Sequence, residues 1–346
     1  MGARVTAQEV ARRAGVSQSA VSRAFSPGAS VSEATAQKVR TAAEALGYRP
    51  NVLARAMITG RSRIVGVVVA AFDNQFYPQA MERLSVALQA EGFHVLMFMA
   101  SPTVGDVGGV MQEILDYQVE GIVLVSVSIS SVLAGRCVAH GIPVVLFNRD
   151  QGDDRLAAVT TDNEAGGRAV TEHLLTLGRR RIAFVAGFEG ASTQRDREAG
   201  FRSTMDAAGL EPAARLDGDF SYERAFAATA ASFARSVPPD AVFACSDHMA
   251  FGVIDALRSR LSLRVPEDVA VAGFDDVPLA AWPAYDLTTY RQPLDAMVGR
   301  TVAGLVARIA DPVAAPRRER LPGGLVVRGS TDPARRLHVV PTRSSP

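Results

Sequence analysis

From residue 64 the chain reads I-V-G-V-V-V-A-A, a β-branched run with no polar alternation. A strand of that kind must be covered on both faces, which confines the chain to architectures that sandwich a parallel sheet between helices. The segments that follow keep to this rule. Helical periodicity at 77–92, 108–117 and 132–140 alternates with apolar runs at 94–99, 121–125 and 144–147. The rhythm then restarts, with helices predicted at 165–177, 195–208, 222–236 and 249–258 and strands at 181–186, 241–245 and 269–273. Alternation at this spacing predicts βαβ units and a doubly wound, parallel α/β fold. Two such halves in succession imply a cleft between two lobes, with ligands bound beyond the carboxyl ends of the strands.

Ahead of this body, residues 5–25 (V-T-A-Q-E-V-A-R-R-A-G-V-S-Q-S-A-V-S-R-A-F) follow a helical pattern. Thr6 with Glu9 three residues later forms a capping-box signature. Gly15 suits a left-handed helix end, and Ser17 can cap a second helix from Gln18 to Phe25. Val10, Ala14, Val16, Val21 and Phe25 then face inward, and Gln18, Ser19, Ser22 and Arg23 face out. That is the arrangement of a helix-turn-helix whose second helix enters the DNA major groove. A third capped helix runs from Ser32 to Gly47, Pro50-Asn51 opens a further helical stretch, and G-R-S-R at 60–63 is a basic linker.

Charge divides the chain at the same place. The net charge is only +1, yet residues up to Arg63 hold ten Lys and Arg against three Glu, an excess of seven, and the remainder carries a net of minus six. A basic head on an acidic body fits a polyanion-binding module joined to something that is not one. Cys137 and Cys245 stand far apart in apolar runs and read as buried free thiols of a cytosolic protein. The absence of an apolar leader or a bilayer-length apolar stretch predicts a soluble, cytoplasmic chain.

At residue level the head resembles the DNA-binding headpiece of the lac repressor (LacI/GalR) family of bacterial transcription regulators. The matching pieces are V-T-x-x-E-V-A-x-x-A-G-V-S, V-S-R, V-S-x-x-T and L-G-Y-x-P-N-x-x-A-R. The body resembles the periplasmic-binding-protein-like core of the same family, as far as L-V-V-R-G-S-T at 325–331. The resemblance implies a headpiece at 1–49, a hinge helix and linker at 50–63, and an effector-binding and dimerisation core at 64–334. Within that core it implies a first lobe of about 64–162 and 293–320 and a second of about 163–292 and 321–334. Residues 335–346 are expected to form a disordered tail without a tetramerising helix.

The same resemblance assigns roles. Gln18 and Ser19 would meet base edges, where Gln can pair bidentately with adenine and Ser discriminates weakly. Arg23 would reach a guanine or the backbone. Thr6, Ser17, Ser22 and Asn51 would act as caps and phosphate ligands. Ala54 and Met57 would form the apolar wedge of the hinge helix, with Met57 where Leu is usual. Effector contacts would come from Asp73, Phe76, Tyr77, Asn148, Arg195, Arg197, Phe220, Ser246, Asp275 and Gln292, with Trp282 near the cleft mouth. Asn148 replaces a commoner Asp and Ser246 a commoner Asn, while Asp247 and Asp276 read as caps and anchors. With those two positions neutral, Asp275 against Arg197 is the charge pairing expected across the site.

The expected function is a dimeric repressor, released from near-palindromic double-stranded operator DNA by a small sugar or sugar acid, with no cofactor, metal or membrane partner. Gating by a protein co-regulator or a nucleobase-type co-repressor uses the same parts. A stand-alone solute-binding protein would share the core but not the basic head. Catalysis finds no support, since no Gly-rich phosphate loop follows a strand, no G-x-S-x-G elbow occurs and the five His show no metal-binding spacing.

Overall fold

The computed structural model describes residues 5–25, 30–49, 61–70, 72–100, 113, 114, 116–127, 129–233 and 237–332. The chain divides into two compact units between Arg63 and Ile64.

The described residues of the first unit form a three-helix head: α1 Ala7–Ala14, α2 Gln18–Ala24 and α3 Glu33–Leu46. Its ends are written in the sequence. Thr6 accepts from the Glu9 amide, and the Glu9 carboxylate accepts from the Thr6 amide at 2.7 Å, so the capping box closes in both directions. Gly15 ends α1 at φ 66°, where a side chain would clash with the backbone. Ser17 caps α2, accepting from the Ala20 amide at 3.2 Å, and Ser32 caps α3. The buried apolar core is small: Val10, Ala11, Val21, Val39, Ala42 and Ala43, with Ala14, Val16 and Phe25 packed at its edge. Because so little surface is hidden, caps worth about 1 kcal/mol each matter to this unit.

The second unit holds two six-stranded sheets, each sandwiched by helices. The first lobe contains β1 Ile64–Val69, α4 Phe76–Ala90, β2 His94–Met99, β3 Gly121–Val125, α5 Ser131–Ala139, β4 Val144–Phe147 and β5 Ala157–Thr161. The second contains α6 Asn163–Thr176, β6 Ile182–Ala186, α7 Ser192–Ala207, β7 Ala214–Asp217, α8 Tyr222–Ser232, β8 Ala241–Ala244, α9 Asp247–Asp255, β9 Ala270–Asp275 and β10 Thr288–Arg291. The chain then returns to the first lobe through α10 Leu294–Ala310 and β11 Arg318–Leu321, and ends in the second with β12 Gly324–Val326.

In the first sheet every pairing is parallel, in the order β11-β5-β4-β3-β1-β2. The second, β12-β10-β9-β8-β6-β7, is parallel except that β12 runs against β10. Three passages of the chain join the lobes: β5 to α6, β10 to α10 and β11 to β12. β1, β3, β4, β6, β8 and β9 are buried along their whole length, as continuous apolar runs require.

Helix starts differ from the periodic reading. α6, α7 and α9 begin two or three residues earlier than the predicted 165, 195 and 249. The reason is that their first turns are polar, Asn163-Glu164, Ser192-Thr193-Gln194 and Asp247-His248, and carry no apolar period. Most of the helix predicted at 108–117 lies outside the described residues, as do the hinge stretch and the tail. Cys137 and Cys245 are both buried and unbridged.

Candidate functional site

On the head, Gln18, Ser19, Ser22 and Arg23 are all exposed along α2, while Ala20 and Val21 turn into the core. Gln18 with Ser22 and Ser19 with Arg23 are i,i+4 neighbours, so the four side chains form a polar row two files wide. Thr6 is committed to its cap. Ser17 holds the start of α2 and also meets Ser19 Oγ at 2.9 Å, fixing one edge of the row. Asn51, Ala54 and Met57 lie outside the described residues.

In the body, the residues that follow strands are the unusual ones. Ser126 after β3, Asn148 after β4, Asp219 and Phe220 after β7, and Asp275 and Asp276 at the end of β9 all have positive φ. Each such residue costs on the order of 1–3 kcal/mol unless its surroundings impose it. Strain is therefore concentrated along the carboxyl ends of both sheets.

Arg197 and Asp275 form the centre. Arg197, from the second turn of α7, has a side chain only 3% exposed, and its Nη1 lies 3.4 Å from Asp275 Oδ1. Its Nε donates to Asn163 Oδ1 at 2.8 Å and its Nη1 to the Cys245 carbonyl at 2.6 Å, while the guanidinium carbon sits 3.6 Å from the Phe274 ring centroid. Asp275 also accepts from Asn74 Nδ2 at 3.1 Å and from Gln292 Nε2 at 2.7 Å. Gln292 in turn accepts from Thr161 Oγ1 at 2.6 Å, so β5, β9 and β10 are tied through one carboxylate.

Burial pushes the Asp275 carboxyl up; Arg197, Asn74 and Gln292 pull it back. Asp247, behind it, is raised further, because it is buried and feels the Asp275 charge, with only Thr289 and the Val277 amide to compensate. Both contacts make Asp247 a brace between α9 and the β9–β10 connection.

The remaining predicted residues fall into distinct places. Phe76, expected to face a ligand, is 2% exposed and stacks on Phe147 at 6.4 Å inside the first lobe's core. It occupies the inward position of the first turn of α4; its neighbour Tyr77 is half-buried and Asp73 is exposed. Arg195 is exposed and donates to the Glu189 carbonyl at 3.2 Å. Being two residues from Arg197 on a helix, it points from a different face and does not join the Asp275 cluster. Ser246 is buried and caps α9, accepting from the Met249 amide at 3.4 Å. Phe220 is half-buried over Gly187, where a Cβ would run into its ring, so the aromatic lid depends on that glycine. Trp282 is 58% exposed at the end of a short 3-10 turn. Asp276 pairs with Arg328 at 2.7 Å and Arg291 at 2.6 Å, anchoring β12.

Four further residues of this region escaped the sequence reading. Asn74 bridges the lobes, and its Oδ1 accepts from the Phe76 amide at the start of α4; a polar residue just ahead of a helix was the available signal. Asn163 orients Arg197, and buried Gln194 accepts from the Gly187 amide at 2.7 Å. Arg149, directly after Asn148, is half-buried, and its Nε has no hydrogen-bond partner. A cavity of about 240 Å³ lies beside Asp73, Asn74 and Gln75 and is walled by Tyr222, His248, Phe251 and Tyr285. Neither Arg197 nor Asp275 lines it, but Asn74 does, so the cavity adjoins the charged cluster through that residue.

Residues 6–51 match the family model of bacterial regulatory proteins, lacI family, and residues 171–331 match the periplasmic binding protein-like domain. The chain is 35% identical over 339 residues to the HTH-type transcriptional regulator CelR of Thermobifida fusca, covering 94% of this chain and 98% of that one. It is 30% identical over 330 residues to the ribose operon repressor of Escherichia coli K12, covering 94% and 99%. Of the solved structures it resembles, the lac repressor dimer bound to operator and the anti-inducer ONPF has a TM-score of 0.85 at 26% identity, covering 95% of this chain and 99% of that one. The CelR–cellobiose complex has a TM-score of 0.71 at 32% identity, covering 94% and 100%. A capped helix-turn-helix head, a two-lobed body with its charged pair at the strand ends, and relatedness along nearly the whole length agree: the chain belongs to the LacI family of bacterial transcriptional regulators.

Proposed function

We propose that the protein is a ligand-responsive, dimeric repressor that grips a near-palindromic operator and is released from it by a small sugar or sugar acid. The observation that carries this reading is the pairing, in one chain, of an exposed polar row on α2 of a basic head with a buried Arg197–Asp275 pair at the strand ends of a two-lobed body. The division follows: 1–49 meets DNA, 50–63 forms the hinge and 64–334 senses the effector and dimerises.

On the head, Gln18, Ser19 and Arg23 read base edges, Thr6, Ser17, Ser22 and Asn51 position phosphates, and Ala54 and Met57 open the minor groove. In the body, Asp275 accepts sugar hydroxyls with Arg197 and Gln292 beside it, Asn148 and Tyr77 approach from the first lobe, and Phe220 covers the ring. Sugars are favoured because related proteins are described as a cellobiose complex and a ribose operon repressor. A single head spans half a site, so a twofold pair on a palindrome is the natural geometry. The effector acts only through its different affinity for the two states of the body.

No described helix is long and apolar enough to cross a membrane, and related proteins are regulators; a cytoplasmic, non-catalytic protein fits both. Fluorescence anisotropy of the full chain on fragments of its own promoter region, across an ionic-strength series and with sugars added, tests the reading. Specific binding that weakens steeply with salt and is relieved by one sugar class supports it. Indifference to every fragment refutes it.

A further inference from the structure

The cavity of about 240 Å³ spans the two lobes. On the first-lobe side it meets the turn ahead of α4, Asp73 to Gln75. On the second-lobe side it meets Tyr222 from α8, His248 and Phe251 from α9, and Val277, Leu279 and Tyr285 from the connection between β9 and β10. Four of these nine residues carry rings, and none is Lys or Arg.

The rings are held in place from behind. Tyr222 donates through its hydroxyl to Asp255 Oδ2 at 2.8 Å and Tyr285 donates to the same oxygen at 3.2 Å, while Tyr285 packs on Phe251 with ring centroids 4.5 Å apart. Asp255 ends α9, which passes directly into a π-helical turn, Ala256–Arg260, a rare conformation concentrated at functional sites. Burial and the Asp255 carboxylate push both phenols above their ordinary value, so they stay protonated and committed to that carboxylate. A phenol that donates to a carboxylate has an electron-rich ring face and no hydroxyl hydrogen left for a sugar.

Charge runs the same way. Asp73 on the rim is exposed and forms no ion pair among the described residues. Asp73, Glu223 and Asp275 all favour a charged His248, yet burial outweighs them and pulls the imidazole below its ordinary value. It is therefore neutral at pH 7 and cancels none of the surrounding negative charge. An aromatic enclosure with a carboxylate at its rim and no fixed cation selects a positive ligand, because ring faces and carboxylate both attract it. The volume lies below the roughly 300–1,000 Å³ of drug-sized sites, which restricts the ligand to a few carbon atoms around one charge.

We propose that this cavity is a second ligand site, one that takes a small organic cation, a primary amine or a quaternary ammonium ion, among the rings of Tyr222, Phe251 and Tyr285 with Asp73 as its counter-charge. The site goes beyond the sugar response and does not depend on it.

The test is calorimetry and thermal shift on the full chain at constant ionic strength, with choline, ethanolamine and propylamine matched against the neutral neohexyl alcohol, ethylene glycol and propanol. The expected result is that at least one cation binds at least tenfold more tightly than its neutral match. Its affinity should fall at least fivefold in Asp73→Asn and in Tyr285→Leu. Choline outranking the amines, or the reverse, supports the site and identifies the head group it holds. Neutral matches that bind as tightly as the cations overturn the inference, and so does failure of every cation to bind. A cation held equally by wild type, Asp73→Asn and Tyr285→Leu sits elsewhere and overturns it too. Because Asp73 is exposed, Asp73→Asn decides the location even if Tyr285→Leu does not fold. Operator release by a sugar, measured on the same protein, leaves the proposed function standing whichever way the cations behave.

Discussion

Asn74 in the first lobe donates through Nδ2 to Asp275 Oδ2 in the second, at 3.1 Å, across 201 positions of sequence. The same amide accepts from the Phe76 N–H at 3.0 Å, so its orientation is fixed from both ends. The carboxylate that Arg197 holds in one lobe is thus also grasped by the other.

Removing that grasp should loosen closure. A hydrogen bond to a charged group is worth about 1.5–3 kcal/mol, so Asn74→Ala should weaken effector binding roughly 10- to 100-fold. Operator affinity without effector should stay within about twofold, because the bond joins elements of the body alone. Titrating effector against preformed operator complex measures both quantities, and an unchanged effector midpoint would contradict the role.

Arg197→Ala should abolish the effector response while operator binding survives. It also strands a buried carboxylate, an effect of about 3–5 kcal/mol. Adding Asp275→Asn should recover most of the lost stability without restoring the response. Chemical denaturation and operator-release assays on the single and double variants separate these effects; equal stability of the two would show that Asp275 is not charged there.

For Asp247 the folded-state pKa lies well above its ordinary value, owing to burial and the nearby Asp275 charge. A carboxyl raised in this way contributes its full stability below about pH 3.9, where both states are protonated, and loses it as pH rises through the folded value. Asp247→Asn removes that loss. The melting temperature of the variant relative to wild type should therefore climb as pH rises above about 3.9, the unfolded-state value. A pH-independent difference would show that the carboxyl titrates normally.

On the head, Gln18→Ala should relax the preference at one base pair per half-site by about 1–3 kcal/mol and leave the others intact. Arg23→Ala should either act likewise or weaken all sequences alike with a shallower salt dependence, according to whether it meets a base or a phosphate. Competition binding with single-base operator variants at two salt concentrations distinguishes the outcomes.

The parallel sheets were legible because β1, β3, β4 and β6 are unbroken apolar runs, and the head was legible because its caps are local. β5 (A-A-V-T-T) was missed although it is buried and central; three other missed strands explain themselves. β7 (A-R-L-D) and β11 (R-E-R-L) are short edge strands with charged residues facing water, and β10 (T-T-Y-R) exists only because β9 and β12 bracket it. For the cleft, the resemblance pointed to Arg197, Asp275 and Gln292, which the structure brings together. It could not reveal Asn74 or Asn163, whose importance comes from partners far along the chain. Phe76 went the other way: an aromatic at a strand end looked available, and the phase of α4 turned it inward.

Neither lobe is a continuous piece of polypeptide, and this bears on how the protein is made. The sheet that begins at Ile64 acquires its last strand, β11, only at Arg318–Leu321, and the other sheet is completed by Gly324–Val326. During translation both sheets must wait, each with a bare edge, until residues 318–326 have been made. A ribosome that stops short of residue 318 releases two unfinished halves rather than one good one, so premature termination yields material for proteolysis and never a partial sensor.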